Sequence, residues 1–69
     1  MNRTPVSSSN VASVGYDQST LTLEVEFNDG SVYQYFDVSD TVYHELMHAG
    51  SIGRFLHANI KNRYRYTKV

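Results

Sequence analysis

Residues His44-Glu45-Leu46-Met47-His48 spell H-E-x-x-H. On a helix, two histidines four apart share one face. They could bind a single Zn²⁺, and the glutamate beside them could act as general base on a metal-bound water. A catalytic zinc site takes three protein ligands, however, and no acidic residue follows Glu45. The extended protease pattern asks for Gly three and His six positions after the second His; Ser51 and Arg54 stand there. His57 is the one downstream histidine, beyond both Gly50 and Gly53. A metalloprotease is therefore set aside, and weak zinc binding through the HELMH segment is kept as a minor alternative. His44, Glu45 and His48 are expected to be solvated on the outer face of a helix. No catalytic residue, metal ligand or cofactor is assigned.

A second candidate is Gly50-Ser51-Ile52-Gly53. It is similar to the G-x-x-G loop with which KH domains clamp a nucleic-acid backbone, where glycines permit close approach and a helix N-terminus offers free N–H groups. The chain is too short for the element order of that fold. Helix punctuation is the favoured account, with Gly50 as C-cap, Ser51 as N-cap and Gly53 allowing close packing.

The third candidate is the basic C-terminal segment. Arg54, His57, Lys61 and Arg65 are three or four apart, so a continuous helix would align them in one stripe. Arg63, Tyr66 and Lys68 continue it within "RYRYTK". Cations that neutralise phosphates, interleaved with rings that stack on bases, suit single-stranded nucleic acid. The candidate nucleic-acid-binding residues are therefore Arg54, His57, Lys61, Arg63, Arg65, Tyr66 and Lys68. About four neutralised phosphates would make log K fall with log salt at a slope near −3. Overall charge supports the same segment. The first 49 residues carry one basic and seven acidic side chains, a net of −6; the last 20 carry +5. A solvated basic face that merely balances the acidic half is the plainer alternative.

These residues need a scaffold, and the chain supplies a small one. At 69 residues it makes one domain with a modest core, and its lack of cysteine removes disulfides and thiolate metal sites. No apolar run approaches bilayer length, and the first residues show no apolar signal region. A cytoplasmic, non-membrane protein is expected. Residues 1–9, with Pro5 and a serine run, read as an extended, partly mobile lead-in. Residues 10–69 read as the domain.

"NVASVGYD" reads as the first strand, with Ala12, Val14 and Tyr16 on one face. In "TLTLEVEF", Leu21, Leu23, Val25 and Phe27 alternate with Thr20, Thr22, Glu24 and Glu26, the mark of a half-buried strand. A turn at Asp29-Gly30 returns the chain as "SVYQYF". Two registers are open. A two-residue loop pairs Phe27 with Val32 and turns Tyr33 and Tyr35 to the polar face. A three-residue Asn28-Asp29-Gly30 loop with a bulge pairs Val25 with Tyr33 and brings both tyrosines to the core. Asn-Asp in a type I turn followed by left-handed Gly favours the second. Beyond Asp37 the period becomes helical. Ser39 or Asp40 caps a helix with an inner stripe of Val42, Leu46 and Ala49, and Ser51 caps another with Ile52, Phe55, Leu56, Asn59 and Ile60 inside. The expected fold is α+β: a three-stranded antiparallel sheet followed by two helices packed on one face.

In this order the chain resembles the KTSC domain family. The features that carry the resemblance are "SSN" at 8–10, "GYD" at 15–17, "LEVEF" at 23–27, Gly30, "VYQY" at 32–35 and "VY" at 42–43. Leu46, Ala49, Ser51, Gly53, Phe55, Ile60 and Tyr64 complete the set. The family occurs as small free-standing bacterial and phage proteins and at the C-terminus of some lysyl-tRNA synthetases. The resemblance implies a non-catalytic accessory domain with a role beside RNA or nucleic acid, from the synthetase context. It carries no catalytic or cofactor residue over to this chain. Ser39 stands where the family usually has Pro, and His57 where it usually has Asn. Two partner classes follow: RNA or single-stranded nucleic acid at the basic segment, and, as the alternative, a protein partner or a second copy docked on a sheet edge or tyrosine face.

Overall fold

The computed structural model of the protein describes residues 1–69. Five strands and two helices follow one another as β1 (Arg3–Pro5), β2 (Val11–Asp17), β3 (Thr22–Phe27), β4 (Val32–Tyr35), α1 (Asp40–Met47), α2 (Ile52–Asn59) and β5 (Tyr66–Lys68). The strands form one antiparallel sheet in sequence order, β1-β2-β3-β4-β5. The α+β class with both helices on one face holds, but the sheet has five strands rather than three.

The two additional strands are the edges. Each is three residues long and exposed throughout, so neither leaves an apolar alternation to be read. Backbone bonding holds them instead. Val69 N–H donates to Val32 O and Phe36 N–H to Arg65 O, bracketing β5 against β4. Pro5 sits in β1, where an edge position does not require its missing N–H.

The three-residue hairpin loop is the one that forms. Val25 pairs with Tyr33 and Leu23 with Tyr35. Gly30 N–H donates to Phe27 O, Phe27 N–H to Ser31 O, and Gly30 has φ +92°. Tyr35 is therefore buried and Tyr33 half-buried on the helix side. In β2 a bulge between Val11 and Ser13 places two residues against one of β3. It reverses the facing of the strand's first residues, so Val11 rather than Ala12 enters the core.

The core joins Val11, Val14, Leu23, Val25 and Tyr35 of the sheet to Val38, Leu46, Leu56 and Ile60. Ser39 Oγ accepts from Val42 N–H and Ser51 Oγ from Arg54 N–H, so both helices begin on serine caps. The cap ending α1 is His48, whose N–H donates to His44 O, with Ala49 N–H donating to Leu46 O; Gly50 is not in the left-handed region. α2 is shorter than the basic stripe requires. It closes at Ile60, where Leu56 O accepts from both Ile60 and Lys61 N–H, and Arg63 N–H turns back to Ile60 O. Burying Ile60 bends the chain toward the sheet, and residues 66–68 extend along β4.

The sheet's other face is polar and tightly bonded. Arg3 pairs with Glu24, and its Nε donates to Ser13 Oγ at 3.0 Å. Ser13 Oγ donates to Glu26 at 2.9 Å, and Gln34 Nε2 donates to Glu24 at 2.9 Å. Glu24 is buried under these partners. The Gln34 amide first, and Arg3 with it, hold its carboxyl below the ordinary 4.5 despite burial.

Two outcomes follow. A domain of this size has about 3–10 kcal/mol of stability, and Leu46→Ala in its fully buried site costs about 2–5 kcal/mol. Urea titration should therefore find a clearly lowered midpoint for that variant; a midpoint equal to wild type would contradict the core assignment. Glu24 has a depressed folded value. It adds stability above its unfolded value, and that contribution is lost as pH falls below 4.5 through the folded value. Thermal melts between neutral pH and pH ~3 should show Glu24→Gln with a shallower acid decline than wild type.

Candidate functional site

An open groove of about 1050 Å³ runs between α2 and the helix-side face of the sheet. Its floor is aromatic. Phe27 meets Tyr33 edge-on at 5.7 Å between centroids, and Tyr66 lies 5.8 Å from both Tyr33 and Tyr35. Tyr66 is 58% exposed, so its ring is presented to the groove and to solvent. Burial, with the neighbouring Tyr33 and Tyr66 hydroxyls, raises the Tyr35 phenol above its ordinary value.

The wall is α2 and the turn after it, which contribute Arg54, His57, Ala58, Lys61 and Asn62. Lys61 Nζ stands 5.0 Å over the Phe27 ring, which ties the basic wall to the aromatic floor. The groove's end is polar. Asn28 Nδ2 donates to Ser9 O at 2.8 Å and Asn28 N–H to Asn10 O at 2.9 Å, stitching the hairpin tip to residues 8–10. Ser8 Oγ accepts from the N–H groups of Asn10 and Val11. Gly53 faces this corner. A Cβ there would stand 3.6 Å from Asn10 Nδ2, an ordinary contact, so close packing does not demand glycine. At the tip, Asp29 accepts from Ser31 Oγ at 2.6 Å and Ser31 N–H at 2.9 Å, and these bonds hold its carboxyl below its usual value.

The seven candidate residues do not form one stripe. Arg54, His57, Lys61 and Tyr66 come together at the groove. Lys68 pairs across from Tyr33 and so shares the sheet face of Tyr33 and Tyr66. Arg63 lies elsewhere, in a smaller groove with Glu45, His48, Asn59 and Tyr64. Arg65 bonds Asp37 at 3.2 Å and lies 5.4 Å from the Phe36 ring. That ion pair is exposed on both sides and is worth little to stability. The split follows from the early end of α2, which removes the helical spacing beyond Asn59. Phe27 and Tyr33 on the groove floor, and Asn28 and Asp29 at its end, were not among the expected binding residues. The bulged hairpin register is the signal that places them there.

His44, Glu45 and His48 are exposed. His48 Nδ1 lies 2.8 Å from His44 O, so the ring packs back on its own helix. His57 lines the large groove and His48 the small one, and no three His, Asp or Glu side chains converge as a metal-ligand set.

An antiparallel meander with two helices laid on one face, enclosing a groove against the second helix, defines a small α+β domain. The chain belongs to the KTSC domain family, whose model matches residues 7–64. It is similar to the lysine–tRNA ligase of Trichormus variabilis, 44% identical over 54 residues, which are 78% of this chain and 10% of the ligase. The chain thus spans about a tenth of the length of that ligase. A protein of Stutzerimonas stutzeri is 39% identical over the whole chain and 99% of its own length. The crystal structure of a KTSC domain protein from Yersinia pestis superposes with a TM-score of 0.93 at 39% identity, covering 99% of this chain and 96% of that one. β1 and β5 lie outside the residues that the family model matches.

A Zn²⁺ titration followed by histidine NMR signals tests the separation of the imidazoles. His57 should stay unmoved at concentrations that shift His44 and His48; all three moving together at one stoichiometric point would contradict the geometry.

Proposed function

We propose that this chain is a non-catalytic module that binds single-stranded nucleic acid, RNA foremost, in the groove between α2 and the sheet. One observation carries the proposal: Lys61 stands over Phe27 in a groove that Arg54, Tyr33 and Tyr66 also line, an arrangement that offers phosphate contacts and base-stacking rings together. The occurrence of a similar segment within lysine–tRNA ligases supports RNA as the polymer, since the host protein's name couples it to tRNA. Docking a protein or second copy on a sheet edge draws less support. Both edge strands are only three residues long, one carries Pro5 and the other Lys68, features that discourage strand addition.

The placement of charges revises the expected salt dependence. Arg54, Lys61 and Lys68 are the cations on the groove side, so about three phosphates are engaged and the slope of log K against log salt is about −2. Fluorescence anisotropy with single-stranded oligonucleotides measures it. Lys61→Glu and Tyr66→Ala should each weaken binding by at least several-fold. Arg63→Glu, in the other groove, should change it little. Salt-independent binding, or equal losses from Lys61→Glu and Arg63→Glu, would refute this site.

A further inference from the structure

Among the side chains lining the basic, aromatic groove, Asp29 is the single carboxylate. A carboxylate repels phosphate, and Asp29 is already partnered at the turn by Ser31 and by the charge of Lys68, so the ligand group it suits is a hydroxyl or amine donor. Its geometry suits that role. The bonds from Ser31 N–H and Ser31 Oγ both fall on Oδ1, which leaves Oδ2 to accept from a ligand. The group is fixed by the Asn28-Asp29-Gly30 turn and needs no rearrangement to act. Ser31 holds it in the ionised form, with the charge of Lys68 adding to the effect. Along the strand register, Asp29 lies at the hairpin tip beyond Phe27, while Tyr66 sits opposite Tyr35 further along β4. A strand whose bases stack at the rings would therefore carry a sugar past the tip.

Resting on the nucleic-acid reading of the groove, we propose that Asp29 is its sugar-discriminating residue: it accepts a hydrogen bond from a ribose 2′-hydroxyl, making the groove select single-stranded RNA over DNA. The chemistry is that by which an acidic side chain holds a ribose hydroxyl in dinucleotide-binding folds, and the 2′-hydroxyl is the group that distinguishes the two polymers. For DNA the same carboxylate offers only repulsion, so one residue both favours the right sugar and disfavours the wrong one.

The test uses the full chain and three labelled single strands with the same base: oligouridylate, oligodeoxyuridylate and 2′-O-methyl-oligouridylate. The last keeps a ribose-like sugar but has no hydroxyl to donate. Oligouridylate should bind about tenfold tighter than either of the others, the low end for one hydrogen bond to a charged acceptor. In Asp29→Asn, which retains an oxygen for the Ser31 bonds, that ratio should fall toward one, with deoxyuridylate binding unchanged or tighter. If wild type binds all three strands equally, or if Asp29→Asn keeps the wild-type ratio, the sugar assignment is overturned while the groove stands as a nucleic-acid site. If none of the three binds at low salt, the groove reading fails and the assignment falls with it.

Discussion

The turn at Asn28-Asp29-Gly30 governs the rest of the molecule. Gly30 takes a positive φ that costs a side-chain-bearing residue free energy, and the bulge it makes sets the register of β4 on β3. Side chains alternate along a strand, so a shift of one residue would exchange the two faces of β4. Tyr33 and Tyr35 would leave the helix side, and Gln34 would leave Glu24. Because β5 pairs on β4, Tyr66 and Lys68 inherit the same facing. One left-handed glycine thus determines whether there is a core tyrosine, a bonded Glu24 and an aromatic groove floor.

How much of this could be read from the residues differs element by element. The alternation of Leu23, Val25 and Phe27 in β3 and the serine caps on both helices are local signals that the structure carries out, but Leu21, expected on the same face, lies in the turn before the strand, exposed and at φ +55°. The hairpin register was decidable from Asn-Asp-Gly turn chemistry. The edge strands were not, because their partners are backbone groups and their side chains are solvated. Arg3–Pro5 shows only a proline and polar residues, and Tyr66–Lys68 hides within a charge pattern that also fits a helix. The Val11 facing was illegible for a related reason: a bulge adds a residue without adding a hydrophobic signal. The groove was half legible. Its basic wall stood out by charge, while its floor was hidden among residues with every reason to be ordinary core.

The two faces of the sheet solve different problems in a small domain without disulfides. On the helix side, nine buried apolar residues form the core, and the chain leaves rings half-covered beside them. On the other side no layer covers the strands, and the surface is closed by hydrogen bonds among Arg3, Ser13, Glu24, Glu26 and Gln34. No buried polar side-chain atom is left without a partner. This network lets a single layer of helices suffice, since the exposed face needs no apolar cover. It also ties β1 to the sheet through one arginine.

The sheet's connectivity sets an order of permanence among its strands. β1, β2 and β3 each pair with the strand next in sequence across a short link, and such local pairings form early and cheaply. β5 alone reaches its neighbour after both helices have intervened, and it is held by three paired positions and few buried atoms. Strands of that kind open at a small fraction of the free energy needed to unfold the whole domain. The ring of Tyr66 therefore belongs to a lightly held edge strand, so the groove floor is fixed at Phe27 and Tyr33 and free to breathe at Tyr66.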